Sequence, residues 1–405
     1  MGWYIMKRRT LPLLYHRKGL AKSAVAGGLR INMRPISLLI KPASGLCNLR
    51  CKYCFYRSLS DHLTGEAEVM SGDTMRKMVD RVFEEDPSHL TLAFQGGEPT
   101  LAGLGYFRAL VNYVEKKNEK KIPVQYTIQT NGMLLDVEWA DFLRDHHFLV
   151  GLSLDGTQDI HDSLRPRPED KGSFQQVMRS AELLRRYGVD FNILCVVTNR
   201  LARRAEAVYS FFKKNDFRYI QFIPCLDPFG EKPEESFAPA AKRFGEFYLR
   251  IFEQWYRDFM AGDYVSIRWF DNLIHMAQGE DPELCGCMGF CPGQLVIEGD
   301  GSVYPCDFYV SDTFKLGNLH DMSFTDMVKS ETMSRFVEKS FEHEKECESC
   351  DYRYLCRGGC RRDRQNEVDG DIGKSRLCEG YKIFFARFMP RLESIMQKLS
   401  RWNMN

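Results

Sequence analysis

The chain of 405 residues has no apolar run that approaches the ~18–20 residues a membrane-spanning helix needs, so no helical membrane anchor is expected. It has almost no net charge. The 56 Lys and Arg against 55 Asp and Glu leave +1, which argues against the strongly basic face of a nucleic-acid binder. It has no internal repeat and no low-complexity tract. Its first 32 residues contain no acid, only the bases Lys7, Arg8, Arg9, Arg17, Lys18, Lys22 and Arg30. A secretory signal needs a longer apolar stretch behind its basic cluster. Here Leu11 to Tyr15 is cut short by His16, Arg17 and Lys18, so export is not expected. Residues 1–33 are expected to form a basic, disordered extension. A tail that touches a partner or lipid is one alternative, and a true start at Met33 is another.

Cysteine is missing from the first 46 residues, yet the chain holds 14. Twelve of them fall in two zones, 47–54 and 285–378. Small secreted domains spread cysteines to staple a weak core. This chain is 44% hydrophobic and 27% charged, the profile of a large globular core, and it shows no export signal. The cysteines therefore read as reduced thiolates that hold metal in a reducing cytoplasm.

From residue 37 to about 228, short apolar runs alternate with amphipathic stretches. Strands are expected over 37–43, 90–97, 124–132, 148–156, 190–198 and 219–226, most of them rich in β-branched or aromatic residues. Helices are expected near 72–86, 104–120, 136–146, 173–188 and 203–215, with Ser71 and Asp136 as N-caps of the first and third. Repeated strand–helix units imply a parallel sheet with right-handed crossovers, as a partial α/β barrel or an open doubly wound sheet. In both, chemistry sits at the C-terminal strand ends. Those ends carry Gly96-Gly97-Glu98-Pro99, Thr130-Asn131-Gly132, Ser153-Leu154-Asp155-Gly156 and Cys225-Leu226-Asp227. The expected organisation is an α/β core over 34–235, a helical linker over 236–284, a cysteine-rich domain over 285–380 and a C-terminal helix over 381–405. Asp300-Gly301 between two apolar runs signals a β-hairpin in the cysteine-rich part. Phe384, Phe388, Leu392, Ile395 and Leu399 recur at helical spacing, so the last helix should dock on the body.

Cys47, Cys51 and Cys54 stand in a Cys-x3-Cys-x2-Cys loop after the first strand. A structural zinc site normally takes four ligands, and only His62 could complete one locally. The alternative is a [4Fe–4S] cluster with three irons held by cysteine and one left open. With Tyr53 before its last cysteine, this spacing resembles the signature of the radical S-adenosylmethionine (SAM) superfamily. There SAM chelates the open iron and is split to a 5′-deoxyadenosyl radical. Gly96-Gly97-Glu98-Pro99 is similar to that superfamily's motif at the end of strand two. By the same resemblance, Tyr53, Gly97, Glu98, Ser153, Arg165 and Leu226 are expected to bind SAM.

The second zone contains Cys285, Cys287, Cys291, Cys306, Cys347, Cys350, Cys356, Cys360 and Cys378. It resembles the SPASM auxiliary-cluster domain of peptide-modifying radical SAM enzymes. That resemblance implies one [4Fe–4S] cluster on Cys285, Cys291, Cys306 and Cys360, and another on Cys347, Cys350, Cys356 and Cys378, making three clusters in all. Four-thiolate sets suit zinc as well, so spacing alone leaves a zinc-binding interaction protein open. Cys287, Cys195 and Cys225 are left over. Cys287 could exchange with Cys285 as a ligand, and the other two are expected to pack.

Longer strings resemble anaerobic sulfatase-maturating enzymes: Leu39-Ile40-Lys41-Pro42, Cys54-Phe55-Tyr56, Phe94 to Thr100 and Tyr304 to Tyr309. The implied fold is a partial (β/α)6 radical SAM barrel followed by a small SPASM domain with a β-hairpin. The implied reaction oxidises a Cys or Ser side chain in a sulfatase to formylglycine. It needs a base, and the resemblance points to Asp307. Gln95 and Tyr56 are expected to orient the peptide or Asp307. The expected partners are an unfolded or nascent sulfatase polypeptide and an electron donor such as flavodoxin or ferredoxin. A cytoplasmic monomer is expected. Another SPASM peptide maturase, forming thioether cross-links, shares every cluster motif and is the alternative.

Overall fold

The computed structural model describes residues 35–56, 69–230, 236–367 and 369–403. The basic extension and His62 lie outside the described residues. The first half alternates as the sequence pattern predicts. It runs β1 (Ile36–Ile40), α1 (Gly72–Glu84), β2 (Leu90–Phe94), α2 (Leu104–Lys117), β3 (Val124–Thr130), α3 (Val137–Asp145) and β4 (Leu149–Ser153). It continues with α4 (Gln158–Leu164), α5 (Phe174–Arg186), β5 (Phe191–Val197), α6 (Asn199–Ala202), α7 (Ala205–Lys214) and β6 (Tyr219–Pro224). The second half holds α8 (Ala241–Ala261), β7 (Ser266–Ile267), α9 (Arg268–Ala277), β8 (Leu295–Ile297), β9 (Ser302–Tyr304) and β10 (Gly317–Asn318). It ends with α10 (Phe324–Val328), α11 (Glu331–Lys339), α12 (Arg353–Cys356), α13 (Cys378–Phe388) and α14 (Leu392–Asn403).

Strands β1 to β6 pair in chain order and in parallel. The central parts of β2 and β5 are buried on both faces and read as continuous apolar runs, whereas β3 and β6 alternate buried with more open positions. Parallel order puts every C-terminal strand end on one edge, so loops that are distant in sequence meet there. Local signals hold the helices between them. Ser71 Oγ accepts from Thr74 N–H at 3.0 Å and caps α1. Asp136 Oδ1 accepts from Trp139 N–H at 3.0 Å and caps α3. Losing either cap costs about 1 kcal/mol.

The hairpin forms where Asp300-Gly301 places it. Gly301 N–H donates to Glu298 O at 3.0 Å, and β8 and β9 pair antiparallel through Val296–Tyr304 and Ile297–Val303. It does not stand apart from the first unit. β8 pairs in parallel with β1, Leu38 opposite Leu295 and Ile40 opposite Ile297. At the other edge β7, from the segment between the two units, adds to β6. Among the described residues the result is one sheet of ten strands in the order β10-β9-β8-β1-β2-β3-β4-β5-β6-β7. The pairing of β8 with β1 carries Glu298, Cys306 and Asp307 to the side of Lys41.

The C-terminal helices dock as their spacing predicts, with Phe384, Phe388, Ile395 and Leu399 buried. Helix α13 crosses α8 backbone on backbone. A Cβ on Gly245 would lie 2.5 Å from Gly380 O, and one on Gly380 would lie 2.3 Å from Ala241 O. Only glycine permits that approach. The crossing fixes the first turn of α13, where Cys378 sits.

Candidate active site

The loop after β1 holds Cys47, Cys51 and Cys54, and the loop after β2 packs against it through backbone. Gly97 N–H donates to Ser44 O at 2.7 Å, and Glu98 N–H to Leu46 O at 2.7 Å. Glu98 is buried and both of its carboxylate oxygens accept hydrogen bonds. Oε1 accepts from Thr100 Oγ1 at 2.6 Å and Thr130 Oγ1 at 2.7 Å, and Oε2 from Asn131 N–H at 2.7 Å. Glu98 therefore ties the ends of β2 and β3 together. Burial raises its pKa, and these donors offset part of the rise. Asn131 Nδ2 reaches Cys47 Sγ at 3.8 Å and donates to Asn48 Oδ1 at 2.7 Å.

Tyr53, Asp155 and Arg165 form a second buried group beside the same cysteines. Arg165 Nη1 donates to the Tyr53 hydroxyl at 2.6 Å and lies 3.9 Å from Asp155 Oδ2. The Tyr53 hydroxyl donates to Asp155 Oδ2, while Asp155 Oδ1 accepts from Val196 N–H at 2.9 Å. Behind them His161 Nδ1 accepts from Asp155 N–H at 3.2 Å. Ser153 ends β4 half-buried, and Leu226 follows β6 in a buried position. Arg376 Nη2 donates to Cys225 O at 2.7 Å and so ties the end of β6 to the cysteine-rich segment.

The cysteines gather as three groups. Cys47, Cys51 and Cys54 lie within electrostatic reach of one another. So do Cys285, Cys291, Cys306 and Cys360, and Cys347, Cys350, Cys356 and Cys378. Cys287 is buried between the last two groups, near Cys285 and Cys356. Cys195 and Cys225 are buried in the sheet and at its edge. Among the described residues, no three His, Cys, Asp or Glu side chains converge as ligands of a single ion.

The donor chemistry fits iron–sulfur groups. Burial pushes the Cys51 thiol up to about 12 despite the nearby Arg165 guanidinium, and pushes Cys291 and Cys356 up to about 11. Such thiols become thiolates when a metal takes the proton's place. Buried Arg165 Nε, Arg361 Nη2 and Arg364 Nε have no hydrogen-bond partner among the described residues. Arg165 faces the first group, and Arg361 and Arg364 face Cys291 of the second. An anionic cluster would supply the acceptors these donors lack.

Asp307 begins a short turn one residue after Cys306. Gln95 Nε2 donates to its Oδ2 at 2.6 Å, and Lys41 Nζ lies 2.5 Å from its Oδ1. The Asp307 side chain is 16% exposed and that of Lys41 is 0% exposed. Lys41 Nζ is also 3.4 Å from Glu298 Oε1 and 3.6 Å from the centre of the Tyr56 ring. The Tyr56 hydroxyl donates to Glu298 Oε1 at 2.5 Å. Tyr56 thus reaches Asp307 only through Lys41 and Glu298, whereas Gln95 touches it directly.

Two family models match this chain: the radical SAM superfamily over residues 42–209 and the SPASM iron–sulfur cluster-binding domain over residues 287–351. A cysteine-type anaerobic sulfatase-maturating enzyme of Clostridium perfringens is 44% identical over 369 residues, 91% of this chain and 100% of that protein. The chain belongs to the anaerobic sulfatase-maturating enzymes. It is a radical SAM enzyme with a SPASM domain. A serine-type member from Bacteroides thetaiotaomicron is 30% identical over 385 residues, 90% of this chain and 92% of that protein. The solved structure of native anSMEcpe with bound AdoMet and Cp18Cys peptide matches with a TM-score of 0.86 and 43% identity, covering 90% of this chain and 99% of that one.

As a sulfatase-maturating enzyme, the chain carries functional candidates that sequence reasoning did not assign. Lys41 and Glu298 are the main ones. Lys41 gave a signal, since a lone lysine directly follows the apolar run of β1. Glu298 gave none, because an acid before a hairpin turn is ordinary. Asp155 and Asn131 stand in strand-end strings that were singled out, but nothing in the strings tells which side chain turns toward the cysteines.

Proposed function

We propose that this protein oxidises a cysteine of a sulfatase polypeptide to formylglycine, with Asp307 as the base. Cysteine is chosen over serine because the cysteine-type relative is 44% identical and the serine-type relative 30%. One observation supports the assignment above the others. Asp307 is a partly open carboxylate held between Gln95 and Lys41, next to a cysteine of the second group.

Cys47, Cys51 and Cys54 would hold the first of three [4Fe–4S] clusters, and Tyr53, Gly97, Glu98, Ser153, Arg165 and Leu226 would line the SAM site. The sets Cys285/Cys291/Cys306/Cys360 and Cys347/Cys350/Cys356/Cys378 would hold the other two. When bound, these groups supply a 5′-deoxyadenosyl radical and an acceptor for one electron. The polypeptide does the rest. Gln95 orients Asp307, and Asp307 takes the proton from the substrate S–H. A hydrogen atom leaves Cβ, a proton goes to Asp307 and one further electron departs. The resulting thioaldehyde is hydrolysed by water to the aldehyde, releasing hydrogen sulfide. A serine substrate would give the aldehyde directly. The substrate is an unfolded or nascent sulfatase, an electron donor such as flavodoxin or ferredoxin serves the first cluster, and the enzyme works as a cytoplasmic monomer.

The test is anaerobic incubation with SAM, a reductant and a synthetic peptide bearing Cys-x-Pro-x-Arg, with a serine peptide in parallel, followed by mass measurement. The aldehyde should form on the cysteine peptide, and faster than on the serine peptide. A cross-linked or unchanged peptide contradicts the reading.

A further inference from the structure

Lys41 is a fully buried charge beside Asp307. An ammonium taken fully out of water needs anionic partners, and here it has two, Asp307 Oδ1 at 2.5 Å and Glu298 Oε1 at 3.4 Å. The Tyr56 ring covers a third side at 3.6 Å. Backbone locks the position from which Lys41 reaches out. Its N–H donates to Ile297 O at 2.8 Å, so the strand pairing that brings in Glu298 also fixes Lys41. The Cβ that Gly96 lacks would lie 3.0 Å from Lys41 Cβ and Cγ, so the next loop closes on its stem.

The two oxygens of Asp307 differ because of this. Oδ1 is buried against the Lys41 ammonium at 2.5 Å, whereas Oδ2 is held by Gln95 at 2.6 Å. Without the ammonium, the single hydrogen bond from Gln95 to Oδ2 would be all that holds the carboxylate against turning about its own axis. We infer that Lys41 is a positioning residue for the base. It pins Oδ1 inward so that Oδ2 faces the peptide beside Gln95. Glu298, anchored by the Tyr56 hydroxyl, keeps Lys41 in place. The chain Tyr56–Glu298–Lys41–Asp307–Gln95 therefore acts as one unit, in which only Asp307 and Gln95 are near the reacting side chain. This inference rests on the reading of Asp307 as base.

Lys41→Met alone would leave two buried carboxylates unpaired and could fail to fold. The charge-balanced double variant Lys41→Met/Glu298→Gln removes one charge of each sign and keeps a partner for the Tyr56 hydroxyl. A base misplaced by about 1 Å costs on the order of 10²-fold in rate. The double variant should therefore lose about that factor in kcat for aldehyde formation, with the peptide KM and the affinity for the peptide (measured by fluorescence anisotropy without reductant) within about twofold of wild type. Iron content should be unchanged. Lys41→Arg should restore at least a tenth of the wild-type rate, because the cation returns. Wild-type kcat in the double variant would overturn the inference, as would equal loss of peptide affinity and rate with no rescue by arginine. Asp307→Asn, run alongside, separates the two claims. If it stays active, the base assignment fails. If it is inactive while the double variant is active, the role of Lys41 alone fails.

Discussion

Replacing Gly97 by alanine should damage the first cysteine loop without touching a cysteine. A Cβ at residue 97 would lie 2.1 Å from Leu46 O, 2.7 Å from Leu46 C and 2.8 Å from Gly45 C. Ordinary contacts start near about 3.5 Å, so the two loops must part by roughly 1.4 Å. All three atoms are backbone, and no side chain can yield in their stead. The bonds from Gly97 N–H to Ser44 O and from Glu98 N–H to Leu46 O, each 2.7 Å, would open. At about 1–3 kcal/mol for each of the two N–H groups left unpaired, the local cost is roughly 2–6 kcal/mol. Leu46 directly precedes Cys47, so the displacement passes into the cysteine loop, where a shift of about 1 Å is worth on the order of 10²-fold in rate. The control is Gly105→Ala in the first turn of α2, where a Cβ meets nothing within 4 Å and alanine should be neutral or stabilising by up to about 1 kcal/mol. Both proteins would be purified anaerobically and compared for iron content, SAM cleavage and thermal midpoint. The expected result is a G97A protein that loses SAM cleavage and a G105A protein that does not. A G97A protein with wild-type cleavage and midpoint would refute the backbone-contact argument.

Three further outcomes follow from the same geometry. Changing Cys47, Cys51 and Cys54 together to alanine should leave about two-thirds of the iron, roughly eight atoms of twelve, and abolish SAM cleavage. Near-zero iron would contradict independent C-terminal groups. Arg364→Leu removes a cation near Cys291 and Cys360, so a redox titration followed by electron paramagnetic resonance should find one auxiliary signal lowered in potential and the other unchanged. Equal shifts, or none, would separate Arg364 from that group. His161 is held neutral, its pKa lowered to about 3 by burial and then by Arg165. Its folded value lies below the unfolded value of about 6.5, so the unfolded chain binds the extra proton. The stabilisation is complete above pH 6.5 and falls toward pH 3, by roughly 1.5 kcal/mol between pH 6.5 and 5. Thermal midpoints across that range should drop more for wild type than for His161→Gln, and parallel curves would contradict it.

The architecture was legible where signals are local. Apolar runs found the six parallel strands, Ser71 and Asp136 marked helix starts by chemistry that works within three residues, and Asp300-Gly301 marked its turn. The first cysteine group was legible through spacing, and the two sets of four came from resemblance alone; within each set the cysteines lie within electrostatic reach of one another. What escaped was non-local. Nothing near Leu295 announces that it pairs with Leu38, because a three-residue strand carries no partner information. Lys41 and Glu298 meet only through that pairing, so their ion pair could not be read before the sheet order was known. Tyr56 was assigned to the peptide pocket or to Asp307. Its hydroxyl bonds Glu298 and its ring lies against Lys41, a placement that only the strand pairing reveals.

The most direct test of the central claim uses a Cys-x-Pro-x-Arg peptide deuterated at the cysteine Cβ. The wild-type protein should give deuterium in 5′-deoxyadenosine together with aldehyde. Asp307→Asn should cleave SAM with almost no aldehyde. Aldehyde without deuterium in the nucleoside, or full aldehyde yield from Asp307→Asn, would contradict that claim.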